Sequence, residues 1–132
     1  MFEANRPPGE VYSRIEFDAR VSGAGKEELV LVLIEQLLIA LQSAIFADEN
    51  RLNERKSAAM TRAIAALTAL ELGVVSSSEN DMGASLLTFY REAKKVILDS
   101  VVRFDGKAFA DLYADFSEIR QALAQAGKPG RA

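Results

Sequence analysis

The chain has 132 residues, 49% of them apolar and 27% charged, with a formal net charge of −3 and a pI near 5.1. That length fits one domain with a sizeable core, and no Lys/Arg cluster on one face gives the electrostatic footprint of a nucleic-acid binder. Cysteine and histidine are both absent, which removes disulfides, the common zinc sites, Cys–His and Ser–His–Asp nucleophile systems, Glu-x-x-His di-iron bundles and phosphate relay through histidine.

Residues 1–10 read as a flexible tail, with Arg6-Pro7-Pro8-Gly9 and no apolar core of the kind a signal peptide needs. The only other proline is Pro129, so nothing forbids helix from Val11 to Gln125. Residues 11–125 are therefore expected to form one helical domain, and residues 126–132 a second flexible tail. The stretch Tyr12 to Val21 alternates polar and apolar residues and fits either a short helix or an extended segment. Ser22-Gly23-Ala24-Gly25 then breaks the chain. "SGAGKEE" at 22–28 has the flavour of a phosphate loop, but that pattern needs glycine five residues before Gly25 and Ser or Thr after Lys26. Arg20 and Glu27 stand there, so the stretch reads as a helix entry.

The first long helix is expected from Lys26 to about Ala47, with Glu27 and Glu28 well placed in its first turn. Between Leu29 and Leu41 only Glu35 and Gln36 interrupt the apolar run. A helix apolar all round is buried all round, so this one is expected to be the central rod. The run is shorter than the about 20 apolar residues that span a bilayer, so no membrane insertion is expected and the cytoplasm is the expected compartment. Glu35 and Gln36 are expected at a wetter sector of the rod or hydrogen-bonded to a neighbour.

A second helix is expected over Arg51 to Leu72, striped by Leu52, Met60, Ala63, Leu67 and Leu70, with Gly73 as its stop. Ser78 with Asp81 three residues on resembles a capping box. The third helix is expected over Glu79 to Val102, striped by Met82, Leu86, Tyr90, Ala93 and Ile97. Asp105 is expected to cap the fourth, Lys107 to about Gln125, striped by Phe109, Leu112, Phe116, Ile119 and Leu123. Short connections make neighbours antiparallel. The fold class is thus all-α: an antiparallel four-helix bundle with a short N-terminal helix or cap segment.

No catalytic constellation emerges, so no enzyme, cofactor or metal is expected. Lys94-Lys95 reads as a solvated face. The third helix, however, carries more apolar surface than one stripe requires: Phe89 beside Tyr90, Leu86-Leu87 and Val96-Ile97-Leu98. Adjacent Phe89 and Tyr90 cannot both face the core, so one is exposed or both are half covered. The surplus predicts a groove for a helical segment, internal or external.

These residues, in this order, resemble the family of the flagellar export chaperone FliS over roughly Tyr12 to Leu123. Tyr12 fits the family's early tyrosine and "GAGKEEL" its helix entry. "LVLIEQLLIALQSA" fits the leucine-rich helix, with Ile34, Glu35 and Gln36 where the family has tyrosine, aspartate and glycine. "RAIAAL" at 62–67 fits the second helix, "GASLLTFY" the third, with Ser85 in place of asparagine, and Asp105 the start of the last. The family's C-terminal tryptophan is missing. The resemblance implies a helical-bundle chaperone that binds the C-terminal helical region of flagellin, prevents premature polymerisation in the cytoplasm and docks at the membrane protein of the export gate. With the groove argument, it makes Tyr12, Ile15, Ile34, Leu86, Phe89, Tyr90 and Ile97 the candidate partner-binding residues. Val11 to Val21 is either a lid over Leu86, Tyr90 and Ile97 or fixed core. The alternative to the chaperone is a non-enzymatic helical adaptor that binds another protein or itself.

Overall fold

A computed structural model describes residues 25–77 and 81–126. Four helices, and among the described residues no strand, follow in order: α1 (Lys26–Glu49), α2 (Asn53–Ser77), α3 (Asp81–Asp99) and α4 (Gly106–Ala126). The all-α four-helix bundle expected from the stripes is the observed fold. The N-terminal cap segment, the N-terminal tail, residues 127–132 of the C-terminal tail and Ser78 of the expected capping box lie outside the described residues, while Ala126 closes α4.

The closest pairing is α1 with α2; α4 packs against α1 and α3 against α2, while α3 and α4 touch only sparsely. The reason lies in side-chain size. The α1–α2 core contains Ala40 and Ala44 from α1 with Ala59, Ala63 and Ala66 from α2, all buried. Methyl side chains let two backbones approach, and Ile34, Leu37, Leu41, Leu67 and Leu70 fill the space around them. Phe109 and Phe116 of α4 and Tyr90 and Ile97 of α3 complete the core.

The α1–α2 turn is a Schellman motif. Arg51 adopts φ 58°, the Leu52 N–H reaches back to the Ala47 carbonyl at 2.8 Å and the Arg51 N–H to that of Asp48 at 3.2 Å. Helix α1 therefore runs two residues beyond the expected Ala47, and α2 begins at Asn53 rather than Arg51. Across the turn Lys56 pairs with Asp48 at 2.9 Å and lies 5.2 Å from the centre of the Phe104 ring, which in turn packs on Phe109. Asp105 caps α4 as expected, accepting the Ala108 N–H on its side chain at 3.0 Å.

Two expectations need correction. Gly73 does not stop α2, which continues to Ser77; a mid-helix glycine costs only about 1 kcal/mol, and Val74 beyond it still packs on the core. Helix α1 is not covered on all sides, because Ile39 and Phe46 on its outward face are 44% and 52% exposed. By length and apolar content alone, Lys26–Glu49 and Asn53–Val74 are each sufficient to cross a membrane. The same holds for core helices of soluble proteins, and α1 does bury Ile34, Leu37, Leu38 and Leu41 against its neighbours.

Candidate partner-binding surface

Helix α3 is the most one-sided of the four. Tyr90, Ala93 and Ile97, at three- and four-residue spacing, sit in the core. On the flank toward α2 the contact is ionic. Glu71 of α2 is nearly enclosed, with Lys94 of α3 at 2.6 Å and Arg91 at 3.6 Å, and the Lys94 ammonium also donates to the Thr68 hydroxyl at 3.2 Å. Oε2 of Glu71 is buried without a well-aligned hydrogen bond, so the ammonium compensates its charge. Lys94 is thus a clamp rather than the solvated residue expected; Lys95 is solvated and pairs with Asp99.

On the flank toward α4 the contact is aromatic. Phe89 lies 5.0 Å from Phe116 between ring centres, and Tyr90 stacks on Phe116 at 6.3 Å and 14°. Phe89 is half-buried and Tyr90 buried, so the two adjacent rings straddle one phenylalanine of α4. Burial raises the Tyr90 pKa above the ordinary tyrosine value. Leu86, a turn before Tyr90, and Ile119 of α4 are half-buried beside this seam. At the far end Leu98 is 51% and Val102 95% exposed, with Val101 between them also exposed.

The candidate residues divide accordingly. Leu86 and Phe89 stand half-buried at the seam; Ile34, Tyr90 and Ile97 are fully in the core and present no surface as the bundle stands. Tyr12 and Ile15, like the whole Val11 to Val21 segment, lie outside the described residues. Glu35 and Gln36 are half-buried, and Glu35 accepts Arg120 of α4 at 3.2 Å, the neighbour-bonded arrangement expected for it. Missed were the Glu71 clamp and the exposed Leu98, Val101 and Val102. The Val96-Ile97-Leu98 run was a signal for Leu98; nothing in the sequence pairs Glu71 with Lys94. Among the described residues no three acidic side chains gather closely enough to hold a metal ion.

A family model described as "Flagellar protein FliS" matches residues 9–129. No curated protein matches the chain.

Proposed function

This chain belongs to the flagellar protein FliS family, and from that premise we propose that it is a non-enzymatic flagellar export chaperone. Its partner is the C-terminal helical region of flagellin, which it keeps from polymerising in the cytoplasm and delivers to the membrane protein of the type III export gate. The observation that carries this reading is the family match over 9–129, nearly the whole chain. Supporting it is the weakly closed α3–α4 seam, where half-buried Leu86 and Phe89 give an amphipathic visitor apolar contacts. Tyr90 and Ile97, on the buried face of α3, take part once the seam widens. Ile34 belongs to the same proposal as a contact reached only by such widening. Residues 11–21, with Tyr12 and Ile15, are proposed as a lid on this site. A lid held by about 1.4 kcal/mol weakens apparent affinity about tenfold, because only the open fraction binds.

Calorimetry of the full chain against a flagellin C-terminal peptide tests the reading. Binding with a negative heat-capacity change and a gain in helicity is expected. A folded chain that shows no interaction would return the adaptor reading. Deleting residues 1–20 tests the lid: tighter binding with the bundle intact supports it, and weaker binding with a lower Tm makes the segment core.

A further inference from the structure

The two halves of the bundle differ in charge. Helices α1 and α4 together carry three basic side chains (Lys26, Lys107, Arg120) against eight acidic ones, a net of −5, whereas α2 and α3 carry six against five, a net of +1. In the acidic half, Ile39 and Phe46 are exposed one heptad apart and so fall on one stripe of α1. Within a turn of Phe46, a shallow hollow of about 230 Å³ opens between α1 and α4, lined by Gln42, Ile45, Ala110 and Tyr113. Exposed Ala114 and half-buried Ser117 continue the α4 side of that face with short side chains, over which another backbone can approach closely.

We propose that the α1–α4 face docks a cationic amphipathic helix of another protein. One large apolar side chain of the visitor fills the hollow and others lie along Ile39 and Phe46. Its Lys or Arg residues face Glu49 and Glu118, both exposed, and Asp111, which Lys107 already pairs at 3.1 Å. Glu35, already paired with Arg120, adds to the steering field. Charge decides among occupants. A second copy of the chain would set one net-negative face against another, and an anionic lipid surface would be repelled in the same way. The chain's own residues 1–24 hold three arginines against four acidic residues, so they lack the required cationic character. The face lies across α4 from the α3–α4 seam and does not depend on the flagellin reading.

The test uses a synthetic helix of about three heptads, leucine at a and d and lysine on the flanks, with a glutamate-flanked control. Fluorescence anisotropy with the full chain should show the lysine helix binding at least about tenfold tighter than the control, the difference shrinking as salt screens it. Phe46→Lys and Ala110→Trp, both at exposed sites, should each weaken it about tenfold while circular dichroism stays unchanged. Equal binding of the two helices, or undiminished binding by both variants, overturns the proposal. So does loss of flagellin-peptide binding in Phe46→Lys, which would merge this face with the flagellin site. Absence of flagellin binding alongside intact lysine-helix binding would sink the chaperone reading alone.

Discussion

The α1–α2 hairpin and the α3–α4 seam solve the same packing problem with opposite side chains. In the hairpin, buried alanines on both helices allow close approach over the half nearest the turn, and a Schellman turn fixes the entry of α2. At the seam, Phe89, Tyr90 and Phe116 hold two helices together by rings that meet over a short stretch. Small residues make a continuous interface; large ones make a local contact with apolar surface left on either side. A bundle built this way has one edge that opens at lower cost than the rest, and α3 reaches the bundle chiefly through α2.

The largest expected effect comes from breaking the hairpin. Leu37→Asp places an unpaired carboxylate where no solvent reaches, and far-UV circular dichroism should show an unfolded chain. Leu33, an apparent equivalent in the apolar run, is only half-buried, so Leu33→Asp should be milder. Next is Phe116→Ala, which removes the ring shared by Phe89 and Tyr90. It should cost about 3–5 kcal/mol in denaturant unfolding, and a loss as small as for a surface site would mean the seam is not held by aromatic packing.

How much of this contrast was legible in the sequence depends on the range of the contact. Stripes such as Tyr90-Ala93-Ile97 and Phe109-Leu112-Phe116 are local, and they marked the core faces of α3 and α4 correctly. Asp105 was legible as a cap for the same reason. Gly73 misled because a weak local preference was read as a boundary, while packing of Val74 carried the helix on. The apolar run of α1 misled differently: four helices in a ring leave each with an outward face, and Ile39 and Phe46 occupy it. For the candidate site, motif positions did not reveal depth. Ile34, Tyr90 and Ile97 proved to be core, and the partners that decide this, Phe116 among them, stand on other helices.

Two smaller perturbations act on the contacts of α3. Glu71→Ala removes the carboxylate that Lys94 and Arg91 share. Both cations can turn to water, so the loss should be about 1–2 kcal/mol. Hydrogen exchange should quicken in α3 and stay unchanged in the α1–α2 hairpin; uniform quickening would mean α3 is not separately attached. The smallest effect is on the alkaline limb. Tyr90 has its pKa raised by burial, so above the unfolded value the native state holds its proton more tightly and stability falls as pH rises past about 10. Tyr90→Phe should flatten that limb of a Tm–pH profile; an unchanged slope would place the alkaline loss elsewhere.

In the proposed function, α3 is the element that meets flagellin. Hydrogen–deuterium exchange of the full chain, alone and with a flagellin C-terminal peptide, tests this most directly. The expected result is slower exchange on binding over 86–98 of α3 and the facing part of α4, with the α1–α2 hairpin already protected and little changed. Binding that leaves α3 exchange untouched, or a folded chain that does not bind the peptide, would contradict it.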